Sequence, residues 1–473
     1  MFVGREKELA SLEKLYQKDK FQMVVLYGRR RMGKTTLITR FIERKPAIFF
    51  TAQETNDKLN LEEFSKKVYH FFSVPETAGA FESWNAAFDF LAEHAKKERF
   101  ILAFDEFPYA AYANPGLSSI LQNAIDHKFK DTGLYVILCG SQISFMENEV
   151  LGYKSPLFGR RTAQIKLEGL DYYDAAKMLP GFSCMEQLQI YSCVGGTPHY
   201  LAQIDNEETF EENMERLFFD ISGYLYNEPM MLLQQELREP AMYNSIIRSI
   251  ASGANRNSEI SARVGETSSA VNKYLRTLMD LHIITKIHPF GEDPETSKKA
   301  IYRLADNCYL FWYRFVFPVR QEIESGSGDI VAKRILQSEQ MSDFFGKPAF
   351  EDISLQFLRR MNRAGKLPFI GTSFGTWWGN DSREKKQADI DVIMADRETR
   401  TILLGECKWR NASPELSVLR KLAEKDYLMP AYKEFYHCFF SKTLYSQQAK
   451  ELGKQTNILL FDIDSLFTFE KDM

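Results

Sequence analysis

The sequence lacks the features of a membrane, secreted or zinc-binding protein. No stretch approaches the run of about 18 apolar residues that a membrane-spanning helix needs. The first six residues have no basic start followed by an apolar core, so they do not match a secretory signal peptide. The six cysteines include no Cys-x-x-Cys pair, and the seven histidines show no metal-ligand spacing. We therefore expect a cytoplasmic protein with reduced thiols, no zinc and no membrane association.

The chain also lacks a strong excess of either charge. Its 60 Lys and Arg residues against 64 Asp and Glu residues give a formal net charge of −4. This balance excludes a histone-like general binder of nucleic acid, but it leaves room for a local basic patch. The hydrophobic content of 44% is ordinary for a folded protein. A length of 473 residues predicts about three domains.

The run from Gly28 to Thr35 matches the Walker A pattern, in which a glycine and four free positions precede Gly-Lys-Thr. The apolar run at 23–27 predicts a buried strand before it, and residues 36–42 have helical spacing after it. Strand, glycine loop and helix are the context that the motif requires, because backbone N–H groups and a helix N-terminus then surround a phosphate. We expect Lys34 to reach the β- and γ-phosphates of ATP and Thr35 to bind Mg²⁺.

Polar residues follow two of the three further apolar runs, which lie at 47–50, 100–104 and 134–139. Continuous apolar runs separated by helices predict an α/β fold with a parallel sheet covered on both faces. Asp105 and Glu106 follow the second run as in a Walker B motif. We expect Asp105 to hold Mg²⁺ and Glu106 to polarise the attacking water. Ser141 follows the third run, where it either senses the γ-phosphate or is a polar strand end.

Several motifs of the chain resemble those of a known family. The opening box Phe-Val-Gly-Arg-Glu at 2–6 resembles the one that begins many AAA+ and STAND ATPases, where it packs near the adenine. The chain is similar over nearly its whole length to the prokaryotic, archaeal-type AAA+/STAND-like P-loop ATPases that carry a winged helix and a C-terminal nuclease-like domain. Residues 156–161 resemble that family's Gly-Arg-Arg stretch, and residues 194–200 resemble its Gly-Gly-x-Pro-x-Tyr box in a helical lid.

The resemblance and the Walker motifs together predict the nucleotide site. Arg160 or Arg161 could touch a γ-phosphate in cis or across the interface of a homo-oligomer, or both could be solvated arginines on a loop. The expected nucleotide-binding residues are Gly4, Arg5, Gly28, Arg31, Gly33, Lys34, Thr35, Thr36, Ser141, Arg160 and Arg161.

The middle of the chain predicts a helix-turn-helix followed by two strands. The three helical segments and two apolar strands lie at 243–251, 258–265, 268–281, 283–287 and 300–304. The polar tip between the strands would be the wing of a winged helix. The residues expected to contact DNA are Ser268, Ser269, Asn272, Lys273, Arg276, Lys298, Lys299 and Arg303. The alternative is a protein-contact module whose charged side chains are solvated.

Two segments with alternating charges predict a β-hairpin in the C-terminal third. Asp389 and Asp391 share one strand face, as do Glu406 and Lys408. If a four-residue turn at 397–400 closes the hairpin, Asp391 lies opposite Glu406 and Asp389 opposite Lys408. Opposed Cβ atoms lie about 5 Å apart, so the two carboxylates need a shared proton or a cation such as Mg²⁺ or Mn²⁺. Lys408 would then orient a water or stabilise a phosphate in the transition state.

This set resembles the PD-(D/E)xK nuclease core, which has an Asp, a turn and Glu-x-Lys. The resemblance implies catalytic roles for Asp391, Glu406 and Lys408. It also implies metal binding by Asp391, by Glu406 and by Glu351 on a preceding helix. The proline of the pattern is absent, since the residues before Asp391 are Ala388, Asp389 and Ile390. The alternatives are a surface hairpin and a DNA-binding shell that does not cleave.

The predicted fold is α/β in three modules joined by a Gly- and Ser-containing linker. The modules are a P-loop ATPase with a helical lid at 1–236, a winged helix-turn-helix at 237–322 and a restriction-endonuclease-like domain at 342–473. The linker at 323–341 joins the last two modules. We predict an ATPase that couples nucleotide state to DNA binding, with metal-dependent cleavage left open. The alternatives are a STAND-type ATP-gated switch without nuclease activity, and a scaffold whose C-terminal domain docks a partner.

Overall fold

A computed structural model describes residues 2–75, 79–237 and 240–468 of the chain. The contacts divide it into an N-terminal unit, residues 1–169 with 197–199, and a C-terminal unit, residues 170–196 with 200–473. The helices predicted as the lid of the ATPase therefore group largely with the C-terminal unit. Within the described ranges, no helix is both long and apolar enough to span a membrane.

A parallel sheet forms the centre of the N-terminal unit. Its strands are β1 (Gln22–Tyr27), β2 (Ala47–Thr51), β3 (Ile101–Asp105), β4 (Tyr135–Gly140) and β5 (Ala163–Lys166). They lie in the order β2-β3-β4-β1-β5, with all neighbours parallel. The predicted α/β fold with a parallel sheet is confirmed. The sequence did not predict β5, because its four residues mix polar and apolar side chains and none is fully buried.

Helices pack on this sheet because successive strand residues point to opposite faces. Val25 packs into one apolar cluster and Val24 into another. The helices are α1 (Glu6–Tyr16), α2 (Lys34–Ile42), α3 (Asp57–Phe71), α4 (Trp84–Ala95), α5 (Phe107–Ala113), α6 (Leu117–Ala124) and α7 (Ile143–Phe145), with π-helical turns at Ile125–Phe129 and Met146–Val150. Asn56 and Ser83 start α3 and α4 by accepting hydrogen bonds from the N–H groups of Leu59 and Ala86.

The C-terminal unit begins with short helices in the predicted lid. They are α8 (Tyr172–Ala176), α9 (Cys184–Val194), α10 (Pro198–Leu201), α11 (Phe210–Met214) and α12 (Glu228–Glu236), with a π-helical turn at Glu215–Phe219. Capping boxes start two of them. Ser183 pairs with Glu186 ahead of α9, and Thr209 pairs with Glu212 ahead of α11.

Three helices and a two-stranded antiparallel sheet follow. Their bounds are α13 (Pro240–Ala251), α14 (Asn257–Val264), α15 (Ser268–Asp280), β6 (Ile284–Ile287) and β7 (Ile301–Leu304). Gly265 ends α14 in the left-handed conformation, with φ of 75°. The elements that the apolar spacing predicts in this region are therefore present.

The segment predicted as a linker is helical and packed rather than extended. The helices around it are α16 (Asn307–Phe311), α17 (Arg320–Glu322), α18 (Gly328–Leu336) and α19 (Glu339–Phe344), with further helical turns at Trp312–Val316, Phe317–Val319, Ile323–Ser327 and Phe345–Phe350. The Phe311 ring contacts the rings of Phe218 and Phe344. A Cβ on Gly328 would lie 2.0 Å from the Phe219 carbonyl oxygen. Gly328 allows the start of α18 to lie close to the Phe219 carbonyl oxygen, so its presence does not indicate flexibility.

A mixed sheet forms the last part of the chain. Its elements are α20 (Glu351–Arg363), β8 (Ser373–Asp381), β9 (Lys386–Asp396), β10 (Thr401–Lys408), α21 (Leu416–Ala423), β11 (Glu434–Ser441), α22 (Gln447–Thr456), β12 (Ile458–Asp462) and α23 (Ile463–Thr468), with a 3₁₀ turn at Asp426–Leu428. The sheet order is β12-β11-β10-β9-β8. The pairs β8–β9 and β9–β10 are antiparallel, whereas β10–β11 and β11–β12 are parallel.

We expect Gly328→Ala to destabilise the protein by about 1–3 kcal/mol, because the new methyl group must displace packed backbone. Alanine favours a helix more than glycine does, so a loss of stability isolates the steric effect. The exposed Lys333→Ala on the same helix is the control and should change stability by less than about 0.5 kcal/mol. Chemical unfolding of both variants tests this, and an unchanged or higher stability of Gly328→Ala would show that the segment is not tightly packed.

Candidate functional site

The loop between β1 and α2 has the backbone geometry of a phosphate-binding loop. Arg31 and Gly33 are left-handed, with φ of 71° and 82°, and Gly33 directly precedes α2. A Cβ on Gly28 would lie 2.3 Å from the Leu167 carbonyl oxygen, so the loop can begin only with glycine. The loop curls around the N-terminus of α2, where N–H groups and the helix dipole favour an anion.

Lys34 is the first residue of α2 and is only 5% exposed. Its Nζ donates hydrogen bonds to the carbonyl oxygens of Gly28 and Arg29, both at 2.9 Å. Burial lowers the pKa of Lys34, although the nearby Glu106 and Asp105 carboxylates act in the opposite direction. A buried ammonium held inside the loop is suited to a strongly anionic ligand, because such a ligand would offset the cost of its burial.

Thr35 and Asp105 bring the two Walker motifs together. The Thr35 hydroxyl donates to Asp105 Oδ2 at 2.9 Å. Asp105 is the last residue of β3, so the carboxyl end of the sheet supplies one partner and α2 the other. A hydroxyl and a carboxylate at this distance are oxygen donors of the kind that Mg²⁺ takes, so these residues fit the ion. Thr36, the next residue of α2, is exposed beside them.

Ser141 contacts the Walker B glutamate. Its N–H and its hydroxyl both donate to Glu106 Oε2, at 3.1 and 2.8 Å. Glu106 itself is left-handed, with φ of 50°, and its N–H donates to Asp105 Oδ1 at 3.0 Å. The side chain expected to sense a γ-phosphate therefore fixes the direction of the carboxylate expected to polarise water. Sequence spacing alone did not predict this contact.

Arg5 stabilises the backbone of the phosphate-binding loop between β1 and α2. It is 6% exposed, and its Nη2 donates to the carbonyl oxygens of Met32 at 3.2 Å and Glu168 at 2.6 Å. Gly4, just before it, has a positive φ of 67°. The Val-Gly-Arg-Glu box, expected to contact the nucleotide, thus holds the backbone of the phosphate-binding loop in this structure.

The two arginines of the Gly-Arg-Arg stretch differ. Arg160 forms a bidentate ion pair with Asp126, at 2.9 and 2.7 Å, and its Nη1 donates to the carbonyl oxygens of Pro156 and Phe158. A phosphate contact by Arg160 would require this pair to break. Burial and Glu147 raise the pKa of Tyr27 at the end of β1, and the nearby Arg161 acts against them.

A second cluster lies in the C-terminal unit, on the predicted hairpin. Pairing of β9 with β10 runs from Asp396–Thr401 to Val392–Gly405, which is the predicted register. Beyond that point Asp391 Oδ2 accepts a hydrogen bond from the Cys407 N–H at 2.8 Å. Glu351 is the first residue of α20, the helix before the hairpin. The two predicted opposed pairs, Asp391 with Glu406 and Asp389 with Lys408, are not part of the ladder, because it ends at Gly405.

Lysine side chains neutralise the carboxylates of this cluster. Glu406 pairs with Lys408 and, at 2.7 Å, with Lys425. Lys347 Nζ lies 3.0 Å from Glu351 Oε1. Lys347 lies four residues before Glu351, and this spacing could have indicated that the two charges lie close together. Lys425 follows α21, and no sequence signal links it to Glu406.

Burial and neighbouring charges set the proton affinities of the carboxylates. Burial, and next the negative charge of Asp391, raise the pKa of Glu351 to about 8. Burial and the Glu406 charge likewise raise the pKa of Asp391. Burial alone would raise the pKa of Glu406, but Lys425 and Lys408 outweigh it, so its pKa is lowered. Glu406 is thus the carboxylate of the pair that ionises more readily, whereas Glu351 holds its proton to a higher pH than usual.

These residues do not form a ready metal site. Among residues 2–75, 79–237 and 240–468, no three His, Cys, Asp or Glu side chains are arranged to hold an ion. Glu351, Asp391 and Glu406, the three expected metal ligands, are instead spread around ammonium groups. The carboxylates as they stand do not fit a divalent cation.

The surface expected to contact DNA is partly engaged within the protein. The five residues expected on the third helix, now α15, are exposed, and Asn272 accepts a hydrogen bond from Asn257. Lys298 is exposed, whereas Lys299 pairs with Glu292 at 2.6 Å. Arg303 pairs with Asp352 of α20 at 2.7 Å, contrary to the expected phosphate contact.

The fold and the first site define a P-loop ATPase. The model of an ATPase domain found predominantly in Archaea matches residues 2–204, and that of archaeal and bacterial proteins of unknown function matches 312–422. An uncharacterized protein of Methanocaldococcus jannaschii is 30% identical over 468 residues, which cover 98% of this chain and 99% of that protein. The chain belongs to the same family as this protein.

Two further similarities concern parts of the chain. An uncharacterized ATP-binding protein of M. jannaschii is 51% identical over 45 residues, which cover 10% of this chain and 76% of that protein. The solved structure of a Walker-type ATPase of Pyrococcus abyssi has a TM-score of 0.52 and 21% identity, over 66% of this chain and 96% of that one. At this identity the similarity shows a shared fold alone.

We expect Lys34→Ala to lose ATP binding, and Glu106→Gln to bind ATP while hydrolysing it about 10²–10⁴-fold more slowly. The lysine would contact phosphates, whereas the glutamate would act only on the attacking water. The exposed Arg40→Ala on α2 is the control. Titration with a non-hydrolysable analogue and an assay of phosphate release separate the two effects. Hydrolysis at the wild-type rate by either variant would remove that residue from the site.

Replacement of Glu351 by Gln should raise thermal stability, relative to wild type, increasingly as pH rises from about 5 to about 8. An acid whose pKa is raised by folding contributes stability below its unfolded pKa of about 4.3 and loses it as pH rises towards its folded pKa. Glutamine cannot ionise, so the variant avoids this loss. Midpoints of thermal unfolding in EDTA at several pH values test this, with the exposed Glu339→Gln as control. Parallel curves for Glu351→Gln and wild type would contradict the assignment.

Proposed function

We propose that this ATPase is an AAA+-type machine that couples its nucleotide state to DNA binding, and that any DNA cleavage belongs to its last domain. The observation behind the proposal is the position of helix α20. This single helix has Glu351 of the carboxylate cluster at one end and a clamp onto the lid helices at the other. Rigid elements and ion-pair networks of this kind can carry coupling between distant sites.

In the proposed nucleotide site, the loop N–H groups and Lys34 bind the phosphates, while Thr35 and Asp105 hold Mg²⁺. The ion would supply charge stabilisation at the phosphates. Glu106 accepts a proton from the attacking water, and Ser141 keeps its carboxylate oriented. Arg161 is the arginine that we expect to reach the γ-phosphate, because Arg160 is already paired with Asp126.

The clamp between α20 and the lid supports transmission of nucleotide state. Arg360 donates to Asp171 at 2.6 and 2.7 Å and pairs with Asp174 at 2.5 Å. The Tyr172 N–H donates to Gln356 Oε1 at 3.0 Å. The chain leaves this lid segment at residue 196 and re-enters the nucleotide-binding unit at 197. We propose that a change at the nucleotide reaches α8 along the chain and is passed from α8 to α20.

The wing is joined to the same domain. Arg303 pairs with Asp352 of α20, and the Phe290 N–H donates to the Thr376 carbonyl oxygen of β8 at 2.8 Å. We propose that α15 presents its exposed Lys273 and Arg276 to DNA phosphates, since neither makes an ion pair within the protein among those described. The winged-helix interpretation thus places the DNA contact on α15 rather than on the wing.

Cleavage is the finer part of the proposal. Asp391, Glu406 and Lys408 are the residue types of a PD-(D/E)xK core, in the register that brings Asp391 beside the strand of Glu406. Lys408 would stabilise negative charge on the scissile phosphate. The rival function is an ATP-gated switch that binds DNA without cutting it. The lysine-paired carboxylates favour this rival, because paired carboxylates are poor ligands for an ion.

Plasmid cleavage with Mg²⁺ or Mn²⁺, with and without ATP, tests the function. We expect nicking by wild type that is lost in Asp391→Ala and Lys408→Ala. We also expect Arg360→Ala to keep both activities while losing the ATP dependence of cleavage, by about tenfold for a coupling of about 1.4 kcal/mol. The exposed Arg363→Ala on the same helix is the control. No cleavage with either metal, alongside normal ATP hydrolysis, would favour the switch.

A further inference from the structure

One side chain of the phosphate-binding loop reaches across to the helix that follows the Walker B residues. Arg30, the third residue of the Walker A run, donates from Nη2 to the phenolic oxygen of Tyr109 at 2.7 Å. Tyr109 belongs to α5, which begins at residue 107, directly after Glu106. The hydrogen bond therefore joins the loop before α2 to the helix that follows the residue expected to polarise the attacking water.

Two further observations locate the Arg30 guanidinium. Burial is the main cause that lowers the pKa of Lys34, and the nearby positive charge of Arg30 lowers it further. The Tyr109 N–H donates to the Glu106 carbonyl oxygen at 3.0 Å, so Tyr109 lies one helical turn beyond Glu106. The guanidinium thus lies near both the lysine expected to bind the phosphates and the first turn of α5.

Tyr109 directs the Arg30 side chain without neutralising it. A phenol is a neutral acceptor, and a guanidinium has five N–H donors, so Arg30 can bind a phosphate while Tyr109 holds it. Arg160 differs, because the Asp126 carboxylate holds it in a bidentate ion pair at 2.9 and 2.7 Å. Arg30 and Tyr109 are both half-buried, so their contact lies partly away from water, where it orients the guanidinium more strongly.

A single ammonium does not offset the charge of the terminal phosphates of ATP. In the transition state, negative charge spreads over the three equatorial oxygens of the transferred phosphoryl group. A planar guanidinium can contact two such oxygens at once. An arginine of the loop itself requires no second subunit, and it loses little freedom on binding because its backbone already surrounds the phosphate. Arg161, by contrast, would approach from a separate segment of the chain.

We propose that Arg30 binds the γ-phosphate of ATP from within the loop and that Tyr109 positions its guanidinium there. Arg30 is then a catalytic residue, because it touches the group that is transferred, whereas Tyr109 acts only through Arg30. The inference deepens the proposed function and depends on its nucleotide site, since Lys34 must bind the same nucleotide. It also makes Arg30 distinguish ATP from ADP, because ADP lacks the phosphate that Arg30 contacts.

Calorimetric titration of the full-length protein in Mg²⁺ with a non-hydrolysable ATP analogue, and separately with ADP, tests the role of Arg30. We expect Arg30→Ala to weaken analogue binding by about 10–100-fold and ADP binding by less than about twofold, because only the γ-phosphate contact is lost. Arg30→Lys should recover part of the difference, since lysine keeps the charge but not the fork of donors. The matched control is Arg40→Ala, which removes an exposed arginine of α2.

Tyr109→Phe removes only the hydroxyl group. It should weaken analogue binding by about 2–10-fold and leave ADP binding unchanged. The same substitution made in Arg30→Ala should have no further effect, because residues that act through one contact are not additive. Tyr112→Phe, three residues further along α5, is the control. A Tyr109→Phe effect that persists in Arg30→Ala would show that Tyr109 does not act through Arg30, and its positioning role would be wrong.

Lys34→Ala separates failure of the inference from failure of the nucleotide site. If Lys34→Ala loses nucleotide binding while Arg30→Ala weakens the analogue and ADP equally, or weakens neither, the site stands and the role of Arg30 is wrong. If Lys34→Ala binds both nucleotides as tightly as wild type, the loop is not the nucleotide site, and the inference falls with it. Cooperative thermal unfolding within a few degrees of the wild-type midpoint shows that each variant is folded.

Discussion

The half-buried ion pair of Arg360 with Asp171 and Asp174 organises the C-terminal unit. Charges removed from water must be paired, because an unpaired one would cost several kcal/mol, about 3–5 when a partner is deleted. The pair therefore fixes α20 against α8, and α20 in turn carries Asp352 to Arg303 of β7 and Glu351 to the carboxylate cluster. Helix α8, strand β7 and the mixed sheet are thereby all joined to one helix.

The nucleotide site shows how a parallel sheet concentrates polar groups. The carboxyl ends of neighbouring parallel strands lie at one edge, so Glu106 and Ser141 come together although 35 positions separate them. The loop before α2 closes on the same edge and brings Thr35 to Asp105. Hydrophobic burial positions the strands, and the positions of the polar groups follow from where the apolar runs stop.

The carboxylate cluster of Glu351, Asp391 and Glu406 depends on a hairpin and on nearby lysines instead. Strand alternation and the turn length predicted the register of β9 with β10, and a helix before the hairpin was expected to carry Glu351; both are found. The state of the carboxylates was not predictable, because Lys347 and Lys425 come from segments whose direction depends on packing. Their ammonium groups decide which carboxylates are ionised and which oxygen atoms are available to a ligand.

The sequence by itself determined the P-loop, the buried parallel strands, the helices of the middle region and the hairpin register, because these depend on local spacing and apolar periodicity. It did not determine the packed helices at the predicted linker, where Gly328 serves a close approach to the Phe219 carbonyl. Nor did it reveal the Ser141–Glu106 contact, the Arg303–Asp352 pair or the Lys425–Glu406 pair. Those depend on side chains distant in sequence, and only the tertiary structure brings them within a few ångströms, where charge and hydrogen bonding act.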